Sequence, residues 1–206
     1  MKDFAVEANR AAKSLSTTTT EYTKASLIFY QQGLSDNEVQ ERSDITVKMA
    51  QAAGESADQV SSYMTAIWNN FDDGSKSLEY YGDVMANLGA KTAASSAEIA
   101  EGLEKFAAIG DTVGLSYEYA TAAVTTIVDK TRASASTVGD ALKTIFARLQ
   151  GLKLGETLED GVDLNKYSSA LKAVGVEVLD LNGNLKSADS IIQELGETWG
   201  TLSSAQ

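Results

Sequence analysis

The sequence contains no cysteine, no histidine and no proline among its 206 residues. Without cysteine, the chain has no disulfide, no thiol nucleophile and no thiolate ligand for zinc. Without histidine, the commonest general base and metal ligand is missing, which excludes Ser-His-Asp and Cys-His catalytic sites. Without proline, no helix interior loses a backbone donor or meets a ring clash. These absences favour a helix-rich protein with few routes to catalysis.

Positive charge is also scarce, with 17 Lys and Arg residues against 29 Asp and Glu residues, a formal net charge of −12. Because such a chain repels phosphate backbones, we expect no autonomous binding of DNA or RNA. The longest compact apolar run is LIFY, Leu27 to Tyr30. A membrane-spanning helix needs about 20 apolar residues, so we expect no membrane segment in this region. The N-terminal stretch lacks the apolar core of a signal peptide.

Serines recur at intervals of 19 to 21 residues, most of them beside glycine or another small residue. Several are followed three positions later by Glu or Gln, the spacing of a capping box. We therefore interpret these serines as helix N-caps. The set is Ser35, Ser56, Ser75, Ser95, Ser116 and Ser136, and the capping-box pairs are Ser35–Glu38, Ser56–Gln59, Ser95–Glu98 and also Thr18–Glu21.

Apolar residues between these caps recur with helical period, each stripe covering one face only, so each helix must pack against neighbours. The 20-residue spacing marks either a true repeat or simply a mean helix plus a short loop. No shared pattern beyond cap and stripe is evident, so we predict a mainly α multi-helix array or bundle, with a solenoid as the alternative. The stripes are Val60–Met64–Ile67–Trp68–Phe71, Leu78–Tyr81–Met85–Leu88, Ile99–Leu103–Phe106–Gly110, Ala120–Ala123–Val124–Ile127–Val128 and Val138–Leu142–Ile145–Phe146–Leu149.

Aromatic residues on these faces are interpreted as core. Trp68 lies on one stripe, and Trp199 ends another that contains Ile191, Ile192 and Leu195. Tyr80 and Tyr81 straddle a face, so we expect one of the two to be partly exposed.

The C-terminal part differs from the helical part. Residues 153–165 form an acidic, glycine-containing loop between a helical core of seven to eight amphipathic helices at 1–152 and a small helix–hairpin–helix unit at 166–206. Val176 and Val178 alternate with polar residues, and Asn182-Gly183 offers the positive-φ residues of a tight turn. We predict one small β-hairpin near residues 176–186. The chain ends on a cap signal, so we expect it to be truncated from a longer protein.

The sequence predicts no metal, cofactor-binding or catalytic residue. Asp180, Asn182 and Asn184 have the spacing of the first ligands of an EF-hand loop. That loop also needs Gly at its sixth and Glu at its twelfth position, where this chain has Leu185 and Ile191, so the calcium interpretation fails. The acidic residues from Glu156 to Asp163 are more often solvated surface than a cation site. Two carboxylates alone can run a glycosidase, yet no acid sits in a recognisable cleft pattern, so we expect no enzyme and no cofactor.

Five stretches near the C-terminus carry a resemblance. They are RLQGL at Arg148 to Leu152, LGETLEDG at Leu154 to Gly161, LNKYSSAL at Leu164 to Leu171, VGVEVLDLNGNLK at Val174 to Lys186 and ELGETWGTLSSAQ at Glu194 to Gln206. This part closely resembles the phage tail tape-measure protein family, in the form found in phages and prophages of Gram-positive bacteria. The upstream helices resemble it more loosely, and IVDKTRAS, Ile127 to Ser134, departs from the glycine-containing segment of many relatives.

The resemblance implies a structural role without an active site. A tape-measure protein templates the length of the tail tube, meets the tail-tube protein and tail assembly chaperones, and assembles in several copies. Its place would be the virion tail, after assembly in the host cytoplasm. Two alternatives stay open: a carboxylate-only cell-wall hydrolase region of a tail protein, and a free-standing helical interaction module.

Overall fold

A computed structural model describes residues 2–152 and 165–203, and this described part contains ten α-helices and no β-strand. The mainly α fold predicted from the sequence is thereby confirmed. The helices are α1 (Lys2–Ser14), α2 (Thr19–Gln31), α3 (Asp36–Ala53), α4 (Ala57–Phe71), α5 (Leu78–Gly89), α6 (Ser96–Thr112), α7 (Tyr117–Thr131), α8 (Ala135–Leu152), α9 (Asn165–Ala173) and α10 (Ala188–Trp199).

Helices α2 to α8 alternate between two layers. Helices α2, α4, α6 and α8 pack on one another in that order, while α3, α5 and α7 form the second layer in the same way. Extensive packing between described helices is confined to near neighbours, and α2 does not pack extensively on α6 or α8. This is the arrangement of an α-solenoid, in which each helix pair contacts only adjacent pairs. The structural repeat is therefore a pair of helices. Its length is twice the 19- to 21-residue interval between the serines.

The helix starts repeat accordingly. Thr18, Ser56, Ser95 and Ser134 precede α2, α4, α6 and α8 at intervals of 38 and 39 residues. The fourth residue after each of these caps is buried: Tyr22, Val60, Ile99 and Val138. The solenoid alternative thus describes the molecule better than chance spacing of helices and loops.

Four of the six serine caps are placed where they were predicted, at Ser35, Ser56, Ser95 and Ser116. The box at Ser95 is reciprocal: its hydroxyl accepts the Glu98 N–H at 3.2 Å, and its own N–H donates to the Glu98 carboxylate at 2.8 Å. The same backbone bond from Ser35 to Glu38 is 2.8 Å long.

Two expected caps and one expected box are wrong. Helix α5 is capped by Ser77 instead of Ser75, because Asp72 and Asp73 accept the N–H groups of Gly74 and Ser75 and so extend the loop. For α8, the hydroxyl of Ser134, not Ser136, accepts the Thr137 N–H at 3.3 Å. Ser56 has no box, since the Gln59 amide donates to the Tyr63 hydroxyl instead.

One further predicted box is half formed. The Thr18 hydroxyl accepts the Glu21 N–H at 3.1 Å. The Glu21 carboxylate turns away from its own cap, to Lys24 at 3.0 Å and to the Ala57 N–H at 3.4 Å. It therefore ties α2 to the start of α4.

The apolar stripes form the core with two exceptions. Trp68 and Tyr81 are buried, and Tyr80 is half-buried, as expected. Ile145 is 47% exposed and Trp199 is 68% exposed, so the expectation that Trp199 belongs to the core is wrong. Both side chains lie near the junction of α8 with α9 and α10, where no further helix of the described part covers them.

Polar contacts also join successive helix pairs. The Ala93 N–H donates to the Asp129 carboxylate at 2.8 Å, and the Tyr117 hydroxyl donates to the Tyr81 carbonyl. Each of these bonds joins residues 36 positions apart, as does the bond from Glu21 to Ala57. They hold adjacent pairs in register at the helix ends.

Residues 176–186 reverse direction, but not as a two-stranded hairpin. One antiparallel bridge joins Leu179 and Leu185, and the Asp180 N–H donates to the Asn184 carbonyl at 2.7 Å. Three residues therefore form the loop, in place of a two-residue Asn-Gly turn. Only Gly183 has positive φ, at 79°, and Asn182 does not, which fits a three-residue loop that ends on a left-handed glycine.

A second, smaller apolar cluster lies beside this loop, around buried Val176, Val178 and Ile191. Leu149 of α8 packs against both this cluster and the larger core, and the Ala188 N–H reaches the Val113 carbonyl at 3.5 Å. The division into a helical core at 1–152 and a unit at 166–206 stays a prediction. The acidic loop at 153–165 lies outside the described residues except for Asn165, which begins α9.

Candidate functional site

Two concave surfaces stand out in the described part of the chain. One, which we name the tyrosine pocket, has a volume of about 390 Å³. It is lined by Lys76, Tyr80, Tyr81, Asp111, Tyr117 and Glu118, with the end of α4 at Asn70 and Phe71 and the loop residues Asp72, Asp73 and Ser75 beside them. The other, the α8–α10 groove, measures about 350 Å³ and is lined mainly by Ile145, Leu149, Tyr167, Leu171, Leu195 and Trp199. The first is polar and acidic, the second apolar.

The solenoid repeat creates the tyrosine pocket. Its walls are the loop from α4 to α5 and the equivalent loop from α6 to α7, one helix pair later. Gly74 and Gly114 lie in these two loops with φ of 78° and 76°, the left-handed conformation that favours glycine. The two loops stand side by side and leave a cleft between them.

Three tyrosine rings form the floor of the pocket. The rings of Tyr81 and Tyr117 meet edge to face with centroids 4.8 Å apart, and Tyr80 lies 5.8 Å from Tyr81 and 6.3 Å from Tyr117. The Tyr81 hydroxyl donates to the Phe71 carbonyl at 2.9 Å. Burial raises the pKa of Tyr81 to about 12 and also raises that of Tyr117, so both hydroxyls stay neutral at physiological pH.

Carboxylates surround these rings. The Tyr80 hydroxyl donates to Glu118 at 2.6 Å, and this hydrogen bond lowers the pKa of Glu118. Hydrogen bonds from Ser75 lower the pKa of Asp73. Asp72 and Asp111 complete a set of four acids around the pocket. Within the described residues none of the four lies at ion-pair distance from a cation, although the charge of Lys76 contributes to the lowered pKa of Asp73 and of Glu118. With four acids and one lysine, the lining has a net negative charge.

Lys76 is the one cation among the residues that line the pocket. Its ammonium nitrogen lies 5.2 Å from the centroid of the Tyr80 ring, within range of a cation–π contact. No carboxylate of the described part lies within ion-pair distance of that ammonium. The lysine is exposed and stays on the aromatic face of the pocket.

The α8–α10 groove has different chemistry. Its exposed side chains include Trp199 at 68% and Ile145 at 47%, and the Arg148 guanidinium lies 6.0 Å from the Tyr167 ring centroid. Such a surface can be covered by apolar side chains of another segment. Sequence analysis missed it because Trp199 was assigned to the core.

The former calcium candidate is a self-contained loop. One oxygen of Asp180 accepts the N–H groups of Asn182 and Asn184, both at 2.8 Å. The backbone bond from Asn184 is the main cause of a lowered pKa for Asp180. The carboxylate of Asp180 therefore stabilises the turn that follows it. The spacing of Asp180, Asn182 and Asn184, which resembles a calcium loop, reflects these hydrogen bonds.

Over residues 2–152 and 165–203, no cluster of acidic side chains has the geometry to hold a metal ion. The acidic stretch from Glu156 to Asp163 lies outside those ranges. No catalytic, cofactor or metal residue was assigned from the sequence, and that expectation stays a prediction. Across the described helices, none combines the length and the apolar composition that a membrane span requires.

Comparisons with known proteins place the chain in a family. A family model described as phage-related minor tail protein matches residues 8–206. No solved structure matches the chain.

Proposed function

Because the chain belongs to the phage-related minor tail protein family, we propose that it is a region of a tail tape-measure protein, which sets the length of the tail tube during assembly. The family match extends over nearly the whole chain and supports a structural role in the phage tail. The tape-measure role, and the origin in a phage or prophage of Gram-positive bacteria, are parts of the proposal that are more specific than the family match.

The observation that carries this proposal is the helix-pair array. Each pair packs extensively on adjacent pairs alone, so the folded length of such a chain grows in equal steps with the number of pairs. In a protein with one central core, the length of the folded molecule does not increase in equal steps with the number of residues. A length template needs its own length to follow the number of residues, whether it acts as the folded array or as an extended chain.

The partners of the proposed role are the tail-tube protein, the tail assembly chaperones and further copies of the chain. We propose that the region acts without catalysis, in the phage tail and, before that, in the host cytoplasm. The net charge of −12 supports a role beside DNA, because an acidic surface does not adhere to a nucleic acid in the same tube.

An in-frame deletion of one helix pair tests the tape-measure role. Removing Ala57 to Ser95 deletes 39 residues and joins Ser56 to Ser96, so that one cap replaces an equivalent one. Tail length in the phage that encodes the chain is then measured by electron microscopy. If the template acts as continuous helix, the tail shortens by about 60 Å, at 1.5 Å per residue. If it acts as the folded array, the tail shortens by about 10 Å, the spacing of packed helices.

A matched control keeps the length and changes the sequence. Replacing residues 57–95 with a second copy of residues 96–134 restores 39 residues and the cap spacing. Tails of the original length are expected from this variant. Tails that keep their length in the deletion variant would show that this region is not a length template.

The absence of catalysis is tested separately. Purified protein is expected to release no soluble fragments from peptidoglycan of a Gram-positive host. Release that is lost in Glu118→Gln, which keeps the side-chain volume and removes the charge, would support the hydrolase alternative instead.

A further inference from the structure

We infer that Asn182 is a deamidation site that stays unreactive while the loop around it is folded and reacts when this loop opens. The chain contains a single Asn-Gly pair, Asn182-Gly183, and both residues are exposed. They lie within residues 180–184, which we name the Asp180 loop. The inference stands apart from the tape-measure role, because it rests only on the chemistry of this pair and on the hydrogen bonds around it.

Deamidation of an Asn-Gly pair is an intramolecular displacement. The backbone nitrogen of Gly183 loses its proton and attacks the side-chain carbonyl carbon, Cγ, of Asn182. The new C–N bond closes a succinimide ring, and the side-chain amide nitrogen leaves as ammonia. Water then opens the ring at either carbonyl, which leaves aspartate or isoaspartate at position 182. Glycine favours ring closure, because it has no Cβ to hinder the attack and reaches more backbone conformations than other residues.

The nucleophile of this reaction is held in the folded loop. The Gly183 N–H donates to the Asp180 carbonyl at 3.1 Å, and the turn holds the φ of Gly183 at 79°. A nitrogen that donates a hydrogen bond has to give up that bond before it loses its proton, which costs free energy. Ring closure also requires Cγ of Asn182 to swing toward that nitrogen. The attack therefore requires the loop to open.

The Asp180 carboxylate is a second restraint. One of its oxygens accepts the N–H groups of Asn184 and Asn182, both at 2.8 Å, on either side of the reacting nitrogen. The bond from Asn184, and then that from Asn182, lower the pKa of Asp180, so this carboxylate is ionised at neutral pH. A fixed negative charge beside Gly183 disfavours the anion that forms when its nitrogen loses a proton.

Neither product fits the loop as asparagine does. Isoaspartate leads the main chain through its side chain and adds one carbon to the backbone. That carbon enters a loop closed by the 2.7 Å bond from the Asp180 N–H to the Asn184 carbonyl. Aspartate at position 182 instead places a second negative charge near Asp180. A chain in which the loop has opened for long enough therefore keeps a permanent chemical record of the opening at position 182.

The rate of deamidation in the purified full-length chain tests this inference. The chain is incubated at mildly alkaline pH, and liquid chromatography with mass spectrometry of its proteolytic peptides distinguishes asparagine, aspartate and isoaspartate at position 182. A synthetic peptide of residues 176–187 gives the rate of the unrestrained pair in the same buffer. The folded chain should react at least about tenfold more slowly than the peptide, as expected for a loop that is open less than about a tenth of the time. Equal rates would overturn the inference.

Substitutions of Asp180 test the restraint by its carboxylate. Asp180→Ala in the full-length chain should speed the reaction by about twofold to tenfold, the effect of losing a side-chain acceptor for backbone N–H groups. Asp180→Asn keeps an oxygen acceptor and removes the charge, so its rate should fall between those of the parent chain and Asp180→Ala. Circular dichroism at 222 nm checks that both variants keep their helices. An unchanged rate in Asp180→Ala would contradict a role for the carboxylate.

Two controls separate the folded loop from the local sequence. Glu177→Gln removes an exposed acid outside the loop, one that pairs with Lys172 at 3.4 Å, and should leave the rate unchanged. In the peptide, Asp180→Ala should also leave the rate unchanged, because no loop is formed there. Equal acceleration by Glu177→Gln and Asp180→Ala in the full-length chain would assign the effect to general electrostatics. Equal acceleration by Asp180→Ala in the chain and the peptide would assign it to the sequence, and either outcome overturns protection by the loop.

Discussion

A close approach between α6 and α8 gives a sharp prediction for stability. Gly139 of α8 faces Gly102 of α6, and a Cβ atom at position 139 would lie 2.5 Å from the Gly102 carbonyl oxygen and 2.7 Å from the Lys105 Cβ. A carbon and a carbonyl oxygen in contact normally stand about 3.3 Å or more apart. The obstacle is backbone, which cannot rotate away. Gly139→Ala therefore forces α8 away from α6 by roughly 1 Å.

Two opposing effects set the size of the change. Alanine in a helix interior is favoured over glycine by about 1 kcal/mol. Forcing an extra carbon into a packed contact costs about 1–3 kcal/mol, and here the shift spreads along the whole α6–α8 contact. We expect a net loss of about 1 kcal/mol, which lowers the Tm of a chain of this length by about 2–4 °C.

Gly196→Ala is the matched control. This glycine lies in α10, and a Cβ there meets nothing within 4 Å. Only the helix propensity acts, so the free energy of unfolding should rise by about 0.5–1 kcal/mol.

Urea unfolding followed by circular dichroism at 222 nm measures both variants, together with the slope of the transition. Opposite shifts in the two variants are expected. If Gly139→Ala stabilises the protein as much as Gly196→Ala does, the close approach of α6 and α8 is refuted. Slower amide exchange in α8 of Gly139→Ala would refute it as well.

Three further predictions concern caps, pH and charge. Ser95→Ala should cost about 1 kcal/mol in the same urea assay, whereas Ser75→Ala, outside any cap, should change stability by less than about 0.5 kcal/mol; equal losses would contradict the assignment of caps. Backbone bonding from Ser95 lowers the pKa of Glu98, so its contribution is present above the ordinary glutamate range and is lost as pH falls through the lowered value. The Tm should therefore fall less between about pH 5 and pH 3 in Glu98→Gln than in the parent chain, and identical slopes would count against the box. Fluorescence anisotropy at physiological salt should detect no binding to duplex DNA, and a micromolar dissociation constant would contradict the electrostatic argument.

The helices could be predicted from the sequence because their signals are local. A serine cap followed by buried residues at the fourth and eighth positions is visible in the chain around Ser95, Ile99 and Leu103. Ser75 was predicted as a cap from the regular spacing of the serines. The cap is Ser77 because two successive aspartates, Asp72 and Asp73, accept backbone N–H groups and extend the loop by two residues.

The exposure of Trp199 could not be predicted from its helix. The apolar stripe of α10 predicts on which face of the helix the indole lies. It does not predict which other element packs against that face. Ile191 at the other end of the same stripe is buried because Val176 and Val178 pack there. Trp199 lies in the open α8–α10 groove, where residues of α8 and α9 leave its side chain 68% exposed. Burial of an amphipathic face depends on the partner surface, which is tertiary information.

The tyrosine pocket escaped sequence analysis for a similar reason. Its residues come from two stretches, 70–81 and 111–118, that are one helix pair apart. Neither stretch holds a recognised motif. The signal would have been the pairing of acids with tyrosines at both helix starts, at Tyr80 and Tyr81 in one and at Tyr117 and Glu118 in the other. That pairing predicts a common pocket only when the repeat length is known, because the repeat brings the two helix starts together.

One further position in each helix, which belongs neither to the cap nor to the apolar stripe, shows where helices of one layer stack on each other. The fifth residue after the cap faces the preceding helix of the same layer. At Ser61 the hydroxyl lies 3.5 Å from the Ala25 carbonyl of α2, at Gly82 an added Cβ would lie 2.6 Å from Met49 Sδ of α3, and at Gly139 it would meet α6. Ala100 of α6 and Thr121 of α7 occupy the same position, and the residue there is buried in all five of these helices, because the layers stack closely.

The first helix of each layer shows the converse. Thr23 of α2 and Gln40 of α3 occupy the same fifth position and are exposed, since neither α2 nor α3 follows another helix of its own layer. A threonine occupies this position both where it is exposed, at Thr23, and where it is buried, at Thr121, so burial and not residue size distinguishes the stacked helices. The change from exposed Thr23 and Gln40 to buried Ser61 and Gly82 therefore marks where stacking begins in each layer.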